Sequence, residues 1–291
     1  MSAQQGVQPT TESGAGVAMQ SKPRALLATC VAAAARAAEV IRGHAANLDA
    51  VIWEVKARAD FVSDVDRSAE TAITEIVMSR HSEARILGEE LSPAMHDRGG
   101  LVFVVDPLDG TTNFLHGFPW YAVSIAALTD GELAAATILN VPTGELFTAT
   151  AGGGARRNGQ PIHVSATTDP SRALVGTGFP FKDPEHIDDY LAILPAIMRS
   201  SAGIRRPGSA ALDLADVACG RFDAFWELEL APWDIAAGIL LIREAGGVVT
   251  DLAGAPPRIE QGGIVAGNHG MQSWLLDEIR EGLTARTSEG R

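Results

Sequence analysis

Leu101-Val102-Phe103-Val104-Val105-Asp106-Pro107-Leu108-Asp109-Gly110-Thr111-Thr112-Asn113-Phe114 is the stretch on which the reading turns. It opens as a continuous apolar run, as a buried strand does. The run breaks at Asp106-Pro107, because proline cannot donate to a sheet ladder; the strand is therefore expected to end at Asp106. Asp106 and Asp109 place two carboxylates in one short turn. Behind them, Gly110-Thr111-Thr112 carries backbone N–H groups suited to a helix start or an anion-binding nest. Hard anionic ligands beside phosphate donors are what a divalent cation bridging to phosphate oxygens needs. An isolated D-x-x-D is more often two solvated aspartates on a loop. The strand before this one and the Gly-Thr-Thr after it favour a site.

The chain has 291 residues and a formal net charge of −13, with 46% hydrophobic and 20% charged residues. That is an ordinary globular composition, long enough for one large domain or two. The acidity and the lack of a basic run argue against nucleic acid as the main partner. Cys30 and Cys219 both lie in apolar, Ala-rich surroundings. Buried thiols are expected there rather than a disulfide, which fits a reducing cytoplasm. No segment reads as a signal peptide or membrane span: the Ala-rich stretch from Arg24 to Arg42 is interrupted by Arg36 and Glu39.

Residues 1–21 are rich in Ser, Thr, Gln and Gly and are expected to form a disordered leader. A first helix is expected from about Pro23 to Ala46. Ser63 or Asp64 can cap a second helix running to about Arg80. From Tyr121 to Ser165 the pattern is antiparallel sheet, with hairpin signals at Asp130-Gly131 and Asn158-Gly159. Beyond that point strands and helices alternate. The expected division is therefore 22–165, an α+β half with most of the site, and 166–286, an α/β half.

Four acidic spots end or follow strands: Asp60 and Asp66, Glu89 and Glu90, Asp106 and Asp109, and Asp234. Carboxylates at strand ends and helix starts converge in layered α/β folds. Singly, each has a plain explanation; for Asp234, as an example, it is a first-turn charge that complements a helix dipole. Together they are harder to dismiss. Gly88-Glu89-Glu90, Asp106-Pro-Leu-Asp109-Gly-Thr-Thr-Asn113-Phe and Trp233-Asp234-Ile-Ala-Ala-Gly238, in this order, resemble the inositol monophosphatase family. Lys56-x-x-x-Asp60-Phe-Val and Gly208-Ser-Ala-Ala-Leu-Asp extend the resemblance to nearly all of residues 24–285.

The resemblance implies an α+β fold, a layered αβαβα sandwich of the sugar-phosphatase type. It also implies a lithium-sensitive phosphomonoesterase with two to three Mg²⁺ ions per site. Glu89, Asp106, the Leu108 carbonyl and Thr111 would surround the first ion; Asp106, Asp109 and Asp234 would hold the second. A third would sit near Glu89. Thr111 would pair with Asp66, and that pair, with Glu89, would help activate a metal-bound water. Gly110 and Thr111 would bind phosphate, and Gly208, Ala210 and Glu227 would face substrate hydroxyls. Leu108 stands where isoleucine is more usual, which matters little if only its carbonyl is used.

No G-x-S-x-G or H-E-x-x-H motif offers a competing chemistry. The expectation is a cytoplasmic Mg²⁺-dependent phosphatase, a homodimer by family analogy, that hydrolyses inositol monophosphate or a similar small polyol phosphate. One rival is a related substrate: fructose-1,6-bisphosphate, histidinol phosphate or a nucleotide 3′-phosphate. No long insertion or basic pocket for a second phosphate is evident, which weighs against the bisphosphates. The other rival is an accessory protein bound to the transcription machinery, as some bacterial relatives are, with catalysis secondary.

Overall fold

The computed structural model describes residues 14–57, 60–92, 94, 99–259 and 262–289. The side chains of Lys56 and Asp60 fall outside the described part. So do residues 1–13, the start of the expected leader. From Gly14 the chain is already helical: α1 runs Gly14–Ala45, with Pro23 inside it. The Ser/Gln/Gly composition hides this start. Residues such as Ala18, Met19, Gln20 and Lys22 have good helix propensity, which outweighs the bond lost at the proline.

A hairpin of β1 (Trp53–Ala57) and β2 (Asp60–Ser63) leads into α2 (Asp64–Arg80). Ser63 caps α2: its hydroxyl accepts from the Val65 N–H, while Asp66 reaches back to the Ser63 N–H at 2.9 Å. Next come β3 (Arg85–Gly88), β4 (Leu101–Asp109) and the one-turn α3 (Thr111–Leu115). The meander β5 (Ala122–Thr129), β6 (Glu132–Asn140), β7 (Leu146–Thr150), β8 (Gly154–Arg157) and β9 (Gln160–Pro161) follows. Asp130 and Asn158, each before a glycine, adopt positive φ, as the hairpin signals require. β3 to β9 form a seven-stranded sheet in chain order, parallel only between β3 and β4.

The remaining elements are β10 (Leu174–Thr177), α4 (Ile187–Ser200), β11 (Gly203–Arg205), α5 (Ala210–Ala218), β12 (Ala224–Leu230), α6 (Pro232–Glu244), β13 (Val248–Asp251), β14 (Gly262–Gly267) and α7 (His269–Glu289). Their strands form a five-stranded sheet in the order β11-β10-β12-β14-β13.

Three apolar clusters define the layers. Cys30, Ala37 and Ile73 of α1 and α2 pack on Phe103, Val105 and Ile125, one face of the large sheet. Leu214 and Val217 of α5 and Ile239 and Leu241 of α6 pack between its other face, Val102 and Val104, and Phe225 of the small sheet. Ile193 of α4 and Leu275 and Ile279 of α7 cover the far face at Trp226 and Val265. The fold is thus α+β, with layers in the order αβαβα, as expected. Cys30 and Cys219 are both free thiols. No helix among the described residues is long and apolar enough to cross a membrane.

Candidate metal and phosphate site

β4 does not stop at Asp106. It continues through Pro107 to Asp109 with a bulge, because Asp106 pairs with Ser124 while Asp109 pairs with Ala122. Proline is tolerated there because a bulge suspends the ladder. The extra residue also decides which way the carboxylates point. Strand residues alternate faces, so positions 106 and 109 would normally face opposite sides. The bulge restores them to one side, while Leu108 joins the outer core with Phe103 and Val105. Both aspartates therefore face the α5–α6 layer.

That layer carries the third carboxylate. Asp234 lies in the first turn of α6 and accepts from the Ala231 N–H at 2.7 Å. Ser124, the partner of Asp106, fastens this turn by donating its hydroxyl to the Trp233 carbonyl at 3.3 Å. Ligand oxygens of Asp106, Asp109 and Asp234 consequently lie within 4.8 Å of one another.

Asp106 is only 1% exposed. Burial, with negative Glu89, Asp109 and Asp234 around it, holds its carboxyl well above the usual carboxylate range; the Leu108 N–H, donating at 3.0 Å, opposes this. Asp109 is also pushed up by burial. Ser209, donating at 2.5 Å, and the Ala211 N–H, at 2.8 Å, hold it down. Asp109 thus sits at the N-terminus of α5, where the helix favours an anion. Three carboxylates this close around the buried Asp106 repel one another, and a hard divalent cation removes the repulsion. The donor set fits Mg²⁺ or a similar ion.

The expected phosphate nest lies one residue further on. Gly110 has φ +91°, and a Cβ there would meet the Trp120 carbonyl at 3.0 Å and the Gly208 carbonyl at 3.3 Å. Only glycine fits this left-handed, crowded position, so the Gly110 and Thr111 N–H groups open α3 without a side chain in the way. Asn113 ties the nest to the second half by donating to the Trp120 and Pro207 carbonyls at 2.7 and 3.0 Å. Thr111 Oγ1 lies 2.9 Å from Asp66 Oδ1 and 3.0 Å from the Leu108 carbonyl. Asp66 is fully buried, and burial raises its pKa against the Ser63 and Thr111 bonds that lower it. Glu89 is half-buried in the turn after β3. Its N–H donates to the Val105 carbonyl at 3.3 Å, and its charge acts on Asp106.

Glu227 lies within β12, on the same face as Phe225 and hence toward the α5–α6 layer. Burial, then the Asp234 charge, pushes its pKa up to about 8, with Arg206 opposing. The geometry brings Asp66, Glu89, Asp106, Leu108, Asp109, Gly110, Thr111, Gly208, Ala210, Glu227 and Asp234 into one region. The sequence reading quoted Ser209 and Asp213 within the stretch after Gly208 but gave them no role of their own. Ser209 is audible only as a helix cap; Asp213 looks like an ordinary helix charge. Buried Asp213 has an Oδ1 without a hydrogen-bond partner, and burial with neighbouring Glu227 and Asp109 holds its carboxyl well above the usual range. The described residues hold one other carboxylate grouping, Asp183, Glu229 and His186. It is a half-exposed cluster, with His186 Nε2 3.2 Å from Glu229.

The model of the inositol monophosphatase family matches residues 22–284. The chain belongs to that family. Among curated relatives it is 46% identical over 253 residues to a putative Nus factor SuhB of Neisseria meningitidis serogroup B, covering 87% of this chain and 97% of that protein. It is 43% identical over 262 residues to an inositol-1-monophosphatase of Rhizobium meliloti, covering 90% and 98%. A crystal structure of the extragenic suppressor protein suhB of Bartonella henselae superposes with a TM-score of 0.84 at 40% identity, covering 89% of this chain and 99% of that one. As a member of the inositol monophosphatase family, the chain has a metal-dependent phosphatase fold.

Proposed function

We propose that this chain is a Mg²⁺-dependent phosphomonoesterase that hydrolyses inositol monophosphate or a similar small polyol phosphate. The observation that carries this reading is the convergence of Asp106, Asp109 and Asp234, within 4.8 Å, beside the Gly110–Thr111 nest. Asp106, Asp109 and Asp234 hold one ion in this reading; Glu89, Asp106, the Leu108 carbonyl and Thr111 surround another. When bound, such ions make water a nucleophile near neutral pH and neutralise a leaving alkoxide. The protein's part is positioning. Gly110 and Thr111 N–H groups receive the phosphate. Asp66 orients the Thr111 hydroxyl, and Glu227, Gly208 and Ala210 face the polyol. Phosphoryl transfer depends on such placement and charge neutralisation more than on covalent chemistry. A cytoplasmic setting fits two free thiols.

The test is phosphate release from a panel of small phosphomonoesters, with Mg²⁺ and with chelator. Turnover of inositol 1-phosphate that needs Mg²⁺ supports the reading; full turnover in excess chelator sinks it.

A second reading is favoured by the relatives named Nus factor, at 40–46% identity. In it the chain is an accessory protein of the transcription machinery and hydrolysis is secondary. Retention of transcription-complex proteins by immobilised wild type and by Asp106→Asn alike supports that role; retention by neither removes it.

A further inference from the structure

The sequence shows no basic pocket for a second anion, but the fold assembles one cation in an unusual setting. Arg206 follows β11 and precedes Gly208. Its Cζ lies 5.3 Å from the Phe179 ring centroid and 5.1 Å from that of Phe181. The two rings stand 5.6 Å apart at 83°, so the guanidinium sits in their corner. Phe179 is braced in turn by Tyr190, which stacks on buried Trp226. These rings are not there as core: Phe179 is 38% and Phe181 52% exposed. Cation–π contact fixes a guanidinium's plane without using its N–H donors.

Those donors remain available. Among the described residues Arg206 makes no hydrogen bond and no close ion pair, although its group carries five N–H donors. Its place is the substrate end of the candidate site. A Cβ on Gly208 would lie 2.7 Å from Arg206 Nη1, so the guanidinium passes directly over that glycine. Its charge is felt at Glu227 and Asp213, and that of Lys182 at Asp109 and Glu227. The wall that would face the polyol is therefore not only acidic. It holds an immobilised cation, with Lys182 nearby.

We infer that Arg206, held by Phe179 and Phe181, is a specificity-determining residue that reads a second anionic group, carboxylate or phosphate, on the phosphomonoester substrate. The inference rests on the phosphatase reading above and adds to its substrate class polyol phosphates with an anionic substituent. A guanidinium with a fixed plane suits the bidentate geometry of either anion.

The test uses the full chain with Mg²⁺ and two matched pairs: 2-phosphoglycerate against glycerol 2-phosphate, and 6-phosphogluconate against glucitol 6-phosphate. In each pair the anionic member exchanges a hydroxymethyl for a carboxylate, close to the ester in the first and far from it in the second. The readout is the ratio of kcat/KM, anionic over neutral. Arg206→Ala should lower that ratio by about tenfold or more in at least one pair, chiefly through KM. Arg206→Lys should keep part of it. Phe181→Ala, which loosens the clamp but leaves the charge, should lose an intermediate amount. An unchanged ratio in both pairs overturns the inference. So does an equal fall on both members, or a changed oligomeric mass in light scattering, which would assign Arg206 to structure or assembly. Wild type that hydrolyses inositol 1-phosphate but none of the four sinks the inference alone, whereas wild type that also leaves inositol 1-phosphate intact sinks the phosphatase reading and this inference with it. Hydrolysis of the neutral members with an unchanged ratio sinks the inference alone.

Discussion

The Thr111 hydroxyl lies 2.9 Å from the buried Asp66 carboxylate and 3.0 Å from the Leu108 carbonyl. A hydroxyl has one proton, so two acceptors compete for it. The contact joins the start of α2 to the turn after β4. Asp66 is itself held by the Ser63 N–H at 2.9 Å, so the pair is rigid from the helix cap outward.

This rigidity gives a first expectation. Thr111→Val keeps the shape and removes the hydroxyl. If the Asp66–Thr111 pair handles a proton, turnover should fall by about 10²–10⁴-fold, the usual range for such groups. Thr111→Ser should recover most of it. Steady-state phosphate release on purified variants checks this, with circular dichroism to confirm the fold. Full activity in Thr111→Val would remove the pair from the chemistry.

Asp106→Asn, Asp109→Asn and Asp234→Asn should each abolish most activity, beyond about 100-fold, since removing a ligand should exceed the cost of removing a supporting residue. Each should also shrink the rise in Tm that Mg²⁺ produces. Thermal unfolding with and without Mg²⁺ reads binding separately from turnover. A variant with the wild-type Mg²⁺ shift would not be a ligand mutant.

Ser209 touches Asp109 at 2.5 Å and lies within hydrogen-bond distance of the Leu212 N–H as the cap of α5. Ser209→Ala removes both roles. Mg²⁺ affinity should fall by about 10–100-fold, as for other residues that orient a ligand. The lost cap should cost about 1 kcal/mol of stability. A Mg²⁺ titration of activity and a urea unfolding curve separate the two effects. An unchanged half-saturation point would reduce Ser209 to a cap.

The metal-free chain should become less stable as pH rises. Burial raises the folded pKa of Asp66, Asp106 and Asp109, and that of Glu227 to about 8. The unfolded chain loses these protons first, near pH 4, so the folded state binds more protons and stability falls with rising pH through the folded values. A divalent cation takes over the protons' role at the aspartates. Its Tm increment should therefore be larger at pH 8 than at pH 5. Scanning fluorimetry in chelator and in Mg²⁺ at both values decides it; equal increments would contradict the account.

Much of the fold was readable because its signals are local. Ser63 or Asp64 announced the start of α2, Asp130-Gly131 and Asn158-Gly159 the hairpins, and the apolar run at residues 101–105 the central strand. The early start of α1 at Gly14 was not readable, since helical propensity before Pro23 is masked by polar composition. Arg206 and its clamp were also silent. Phe179 and Phe181 lie far from residue 206 in sequence, and an exposed arginine after a strand looks like any other.

The sequence alone determined the residue types and their order: carboxylates after strands, a glycine behind them, and hydroxyls beside it. The tertiary structure decided which of these meet. Asp106 and Asp109 share a face only because the bulge at Pro107-Leu108 adds a residue to a strand that otherwise alternates sides. Asp234 joins them because the packing of α6 between two sheets brings its first turn against Ser124. A local pattern can specify a turn or a cap. Convergence of charges from separate elements depends on register and layer packing, which bring together residues more than a hundred positions apart.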